Sequence, residues 1–409
     1  MTTDKILYVS RELPSATGPG VDRRAWQHLK GLLPLGAVTV VVPSHVAHRT
    51  QEIETLWAAG IKDLVVRDEL TLPNATAAHH YAASNSFQWI TRGLVRAPYF
   101  LDKASKADAA RYRARIGDDF DVAFCFRLPA AIWFESVFGR PAHMRRVSDF
   151  DDIESRSFAA GTIPPPFDTR LGRLIAKRDL FVLRKTERRI GQTWDHVTLC
   201  SDLDASRLGE AIGRPVAVLP NTVDFGHWEP SPASGPLNVL FVGTFPYKPN
   251  LEGVTWFVEE VWPALNSSHP GRFSLTLAGF DPPEEILALD GKDGVSVAAS
   301  PPSLAPYYAA AHVVIVPIFK GSGTRIKVIE AMAKRRPVVG TTIGCEGLGL
   351  VDGEHYLDAN DPSAFAAALA QLLNDPPLRT RIAETAAAHA RSQFSQEEAD
   401  RRLRALIAD

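Results

Sequence analysis

His312-Val-Val-Ile-Val-Pro-Ile-Phe-Lys-Gly-Ser-Gly-Thr-Arg-Ile-Lys-Val-Ile-Glu-Ala-Met-Ala-Lys-Arg-Arg-Pro-Val-Val-Gly340 reads as a strand, a glycine turn, a helix and a second strand. His312–Pro317 and Pro337–Gly340 are short continuous apolar runs, not alternating ones, which is the pattern of parallel strands buried on both faces. Between them Gly321 and Gly323 flank Ser322 in a tight turn. Thr324 is the expected N-cap, with a helix from about Arg325. Parallel pairing requires crossovers of this kind.

The same unit recurs along the 409 residues. Strands are predicted at Ile6–Ser10, Val38–Pro43, Asp63–Arg67, Val122–Phe126, Arg146–Phe150, His196–Ser201 and Val216–Leu219 in the first half. In the second half they are Asn238–Gly243, Ser274–Ala278, Val295–Ala298, His312–Pro317, Pro337–Gly340 and His355–Leu357. Arg23–Leu33, Leu251–Leu265 and Ser363–Leu373 carry helical patterns between them. The fold class is therefore α/β, with two doubly wound domains facing across a cleft where ligands of open parallel sheets bind. Pro230-Ser-Pro-Ala-Ser-Gly-Pro236 is the strongest loop punctuation and places the junction between about Pro220 and Pro236. Domains are expected at 1–220 and 221–395, with 396–409 as a final helix.

Composition removes several classes. Apolar content of 45% supports full cores and excludes a disordered chain. Cys125, Cys200 and Cys345 make neither a CxxC pair nor an even framework, which fits a reducing compartment and a cytoplasmic protein. The start, MTTDKILYVS, has no signal-peptide pattern. No apolar run approaches the roughly 18 residues of a membrane span. Net charge is −2, against a general nucleic-acid partner. That sum conceals a split: residues 1–220 hold 30 Lys+Arg and 25 Asp+Glu, residues 221–409 hold 15 and 22.

The glycine turn leading into a helix suits a phosphate group, because it presents free N–H groups and a positive dipole end. Arg325 and Lys327 add charge there. Glu330, one turn on, can accept hydrogen bonds from a ribose diol. The plain alternative is a solvated helix with a Lys327–Glu330 surface pair. Asp149, Asp151, Asp152 and Glu154 cluster after a strand, where they could bind hydroxyls, accept a proton, start a helix or hold a metal. Arg127 follows the strand Val122–Phe126, at a position that suits either a cleft role or a plain surface arginine. Ser201, Asp202 and Asp204 suit helix capping, and Asp224 a domain junction. The histidines, His79-His80, His143 and His196 among them, show no metal spacing. Arg170–Arg189 and Phe87–Arg115 are basic with interleaved apolar residues. Such segments can lie on an anionic membrane surface or simply form a solvated helix.

Residues 237–395 resemble the donor domain of retaining GT-B glycosyltransferases of the family 4 type. The carrying residues are Phe241-Val-Gly-Thr-Phe-Pro-Tyr-Lys-Pro-Asn250, Leu277-Ala-Gly279, Gly321–Ala333, Pro337-Val-Val-Gly340, Gly344-Cys-Glu-Gly-Leu348 and Asp352-Gly-Glu-His-Tyr-Leu357. Gly18-Pro-Gly20 with Arg23, Arg146–Ser155 and Pro220-Asn-Thr-Val-Asp224 resemble first-half stretches of a branch associated with bacterial exopolysaccharide synthesis. The resemblance implies a nucleotide-sugar donor, UDP- or GDP-linked, no separate cofactor and no catalytic metal. The expected acceptor is a saccharide or lipid-linked saccharide, with possible peripheral membrane contact through the basic first half.

The same resemblance implies donor-site roles for Gly18, Gly20, Gly243, Thr244, Lys248, Ser322, Gly323, Thr324, Arg325, Lys327 and Glu330. Family members carry two glutamates eight positions apart. Glu330 matches the second, which grips the ribose, and Ser322 replaces the first. Thr244 stands where the family's arginine usually is, with Lys248 near the usual lysine. Arg325, Lys327, Arg127 and Asp151 are the expected catalytic set. An inactive binding or scaffold subunit and a nucleotide-sugar epimerase are the alternatives this architecture leaves open.

Overall fold

Thirteen strands form among the described residues of the computed structural model, which are 4–67, 101, 103–159, 170–226, 228, 235–321 and 323–408. Ser322, His79-His80, most of Phe87–Arg115 and most of the Pro230–Pro236 loop lie outside them.

The first sheet comprises β1 (Asp4–Ser10), β2 (Gly36–Pro43), β3 (Asp63–Arg67), β4 (Val122–Phe126), β5 (Arg145–Asp149), β6 (His196–Leu199) and β7 (Ala217–Val218). Its order is β3-β2-β1-β4-β5-β6-β7, and every pairing is parallel. The continuous apolar runs explain themselves. Ile6 and Tyr8 of β1 enter one core while Leu7 and Val9 enter another on the opposite face. The crossover helices are α1 (Gly20–Leu32), α2 (Thr50–Ala58), α3 (Lys106–Ile116), α4 (Leu128–Phe138), α5 (Glu154–Ala159), α6 (Arg170–Thr193) and α7 (Asp202–Ile212). Ser201 caps α7, its hydroxyl oxygen accepting from Asp204 N at 3.1 Å.

The second sheet holds β8 (Leu237–Thr244), β9 (Phe273–Phe280), β10 (Val295–Ala299), β11 (Val313–Val316), β12 (Val338–Gly340) and β13 (Leu357–Asp358). It is parallel throughout, in the order β10-β9-β8-β11-β12-β13. Its helices are α8 (Lys248–Trp256), α9 (Trp262–Ser268), α10 (Glu284–Leu287), α11 (Ala305–Ala310), α12 (Ile326–Ala333), α13 (Pro362–Asn374) and α14 (Pro376–Phe394). The helix expected over Leu251–Leu265 is broken: Phe257–Val261 winds as a π-turn between α8 and α9. Pro263, near the start of α9, has no N–H to continue the ladder, and the wider turn absorbs the lost bond.

The chain divides into two compact units, residues 1–221 with 399–409, and residues 222–398. The last helix, α15 (Gln396–Ala408), places Ala399, Leu403 and Ile407 in the core that contains Leu29 and Leu32 of α1.

Candidate functional site

The second sheet reverses strand order at β8. Helix α8, which follows β8, packs Val254 on one face, while α12, which follows β11, packs Val328, Ile329 and Met332 on the other. The carboxyl ends of the neighbours β8 and β11 therefore open between two helix N-termini, the switch point where such sheets bind ligands.

Lys327 bridges that opening. Its Nζ donates to Asn250 Oδ1 at 2.7 Å and lies 4.5 Å from the centre of the Phe241 ring. Asn250 is held in turn by Nδ2, which donates to Thr244 O at 2.8 Å. Gly243 leaves room for both, since a Cβ there would stand 3.0 Å from Asn250 Nδ2 and 3.1 Å from Lys327 Nζ. Burial, and then Arg325, push the Lys327 ammonium down to about 7 against the opposing pull of Glu330. A half-buried cation at a switch point lacks a full countercharge and is poised for an anion.

Arg325, not Thr324, occupies the N-cap position of α12, with φ −87° and ψ 98° and no side-chain cap. The backbone turns into the helix one residue later than the Thr324 cap expected from sequence, because Arg325 retains extended geometry. Its Nη1 donates to Gly323 O at 2.8 Å. Gly321 has φ +125°, and a Cβ there would lie 2.8 Å from Arg325 Nη2 and 3.2 Å from Tyr247 Oη. The backbone conformation favours glycine here, while the neighbouring Arg325 and Tyr247 tips could shift aside. No side chain caps the start of α12, and Val328 N donates to Arg325 O at 2.9 Å.

Glu330 is buried, and its Oε2 accepts from the Tyr308 hydroxyl at 3.0 Å. The plain alternative, a solvated Lys327–Glu330 surface pair, does not describe this carboxylate, which is a core-edge group hydrogen-bonded to Tyr308 of α11. Lys248 stands apart. It is exposed and 3.5 Å from Glu252, which Lys320 approaches at the same distance. Thr244 is exposed at the end of β8.

In the first unit, Gly18 adopts φ +129° ahead of α1, and Pro19 rather than Gly20 takes the N-cap position. Asp22 in the first turn accepts from Arg49 at 2.6 Å. A second, buried charge network lies at the carboxyl end of β5. Asp149 Oδ2 is 2.7 Å from Arg24 Nη2 and 2.7 Å from His28 Nε2, and Asp149 Oδ1 accepts from Asp151 N at 2.7 Å. Burial alone would raise the Asp149 carboxyl, but Arg24 and His28 outweigh it and hold it low. Burial lowers the His28 imidazole more than Asp149 raises it.

Asp151, at φ 66°, and Arg127, at φ 73°, are both strained into the left-handed region around this anchor. Arg127 N donates to Asp149 O at 2.7 Å, and its Nη2 is 3.5 Å from Glu154 Oε1. Burial drives Asp151 up to about 6, with Arg24 and Arg127 opposing and Asp152 and Asp149 adding to the rise. Arg24 and His28 escaped the sequence reading. Their signal is polarity on the wrong side: both lie beside Ala25 and Leu29 on the buried face of α1.

Among the described residues no group of His, Cys, Asp or Glu could hold a metal ion, and no helix is long and apolar enough to cross a membrane. The three cysteines are buried and unpaired.

The fold is that of GT-B glycosyltransferases, built from two parallel-sheet Rossmann-like units. The structure of Anabaena HepE in complex with UDP-glucose superposes with a TM-score of 0.63 at 15% identity, covering 99% of both chains. Residues 236–375 match the family described as Glycosyl transferases group 1. A Klebsiella pneumoniae protein described as an uncharacterized 44.6 kDa protein in cps region is 31% identical over 137 residues, 32% of this chain and 35% of its own. D-inositol 3-phosphate glycosyltransferase of Corynebacterium diphtheriae is 36% identical over 111 residues, 27% of this chain and 26% of its own. The chain thus spans about a third or less of these curated relatives, and the family match lies within the second unit.

Proposed function

We propose that the protein is a glycosyltransferase that moves a sugar from a nucleoside diphosphate to a saccharide or lipid-linked acceptor, with retention and without a catalytic metal. The observation that carries this reading is Lys327, held across the β8–β11 switch point by Asn250 and Phe241. As the glycosidic bond breaks, negative charge gathers on the diphosphate. Lys327, Arg325 and the uncapped start of α12 are the groups that would stabilise it. Glu330, fixed by Tyr308, would take the ribose hydroxyls. Gly243 and Gly323 let backbone approach the phosphates, with Thr244, Thr324 and Lys248 at the rim. Acceptor hydroxyls would be bound by Arg127 and by Asp151, whose raised carboxyl suits a proton acceptor near neutral pH. Gly18 and Gly20, in the turn ahead of α1, would bind ligand in the first unit. UDP is the first base to test, since a structural neighbour was solved with UDP-glucose.

The test is calorimetric titration with UDP and GDP, followed by hydrolysis and transfer assays with the matching sugars. Binding by one diphosphate, abolished in Lys327→Met, supports the reading. Binding without turnover on any acceptor would favour a scaffold subunit. Interconversion of the sugar without an acceptor would favour an epimerase.

A further inference from the structure

Helix α6 (Arg170–Thr193) buries Ile175, Leu183 and Ile190 against the first unit. Its carboxylates, Asp179 and Glu187, are buried too. The outward side is different. At 100° per residue, Leu174, Lys177, Phe181, Arg184, Lys185 and Arg188 fall within an arc of about 100°. All six are exposed. Phe181 is 67% exposed and Leu174 62%, and no large apolar side chain among the described residues is more exposed than Phe181.

Two observations must be met at once by whatever covers this arc. Four cations with no carboxylate among them call for an anionic surface. Two large apolar side chains at the centre of the arc, one two turns beyond the other, call for an apolar layer just beneath it. A nucleic-acid backbone supplies only the first. The headgroup and acyl boundary of an anionic bilayer supplies both. We infer that the α6 arc is a membrane-docking face, which seats Leu174 and Phe181 at the acyl boundary and the four cations among anionic headgroups. This does not depend on the glycosyl-transfer reading, since a protein unable to bind nucleotide would still dock.

The test pellets the full chain with vesicles of phosphatidylglycerol and phosphatidylcholine in about equal parts. Binding is expected to fall about tenfold on pure phosphatidylcholine and to weaken with salt. Leu174→Ser/Phe181→Ser is expected to lower it roughly fivefold with the thermal melt unchanged, because both side chains are already in solvent. Arg184→Glu/Arg188→Glu should abolish binding, while Arg404→Glu, an exposed cation of α15, should not alter it. Failure of the folded wild-type chain to pellet with the anionic vesicles overturns the inference. So does a binding that ignores Leu174→Ser/Phe181→Ser and is competed away by duplex DNA, which would mark a polyanion surface.

Discussion

Lys327 is the residue on which the proposed donor site turns, and its chemistry makes a prediction with a definite sign. With its pKa lowered from 10.5 to about 7, the empty site loses its charge as pH rises through neutrality. A bound diphosphate would restore it. Nucleotide binding above pH 7 should therefore take up a proton, seen as a binding heat that varies with the ionisation enthalpy of the buffer, and affinity should weaken from pH 6 to 8.5. A buffer-independent heat would remove Lys327 from the phosphate site. The same shift fixes a stability slope. The unfolded chain keeps its proton to the ordinary 10.5, so between about 7 and 10.5 it binds more protons than the native state. This group therefore makes the empty protein relatively more stable as pH rises through that window. For Asp151, raised to about 6, the transfer rate should lose an acid-side limb near that pH in Asp151→Asn, measured as a pH profile against wild type. A preserved limb would assign the proton transfer elsewhere.

At the level of elements, glycines decide whether α8 can reach the site. A Cβ on Gly253 would stand 1.9 Å from Pro317 O, a backbone atom that cannot yield. Gly253→Ala should cost about 3 kcal/mol in urea unfolding. Ser201→Ala, which removes only the α7 cap, should cost about 1 kcal/mol. Equal costs would contradict this assignment of backbone crowding. The strands were legible because each is a short apolar run feeding two cores, as Val239 and Phe241 do on one face of β8 and Leu240 and Val242 on the other. The π-turn at Phe257–Val261 was not legible, because amphipathic periodicity continues across it and only Pro263 hints at the break. Nor was the Arg24–His28–Asp149 network, which joins a helix to a strand 125 residues later in the case of Arg24. Local patterns do not report such distances. The phosphate-suited turn before α12 was visible in sequence, whereas the partners that hold it, Asn250 through Lys327 and Tyr308 through Glu330, come from other crossovers.

Across the whole molecule, the near-zero net charge hides a basic first half and an acidic second half, and the structure gives each half a local exception. The acidic unit gathers Arg325 and Lys327 at its switch point, and the basic unit encloses Asp149 and Asp151 beside Arg24. Chain order is also broken once, since α15 completes the core of the first unit. Leu403→Ala should destabilise that unit by about 2–5 kcal/mol while leaving nucleotide affinity unchanged. The central claim, that residues 222–398 hold a nucleoside diphosphate at the β8–β11 switch point, is tested most directly by calorimetric titration of UDP and GDP into wild type, Lys327→Met and Glu330→Ala. Saturable one-site binding of at least one diphosphate, weakened about tenfold or more in both variants, is the predicted result. No binding by wild type at millimolar nucleotide, or equal affinity in all three proteins, would contradict it.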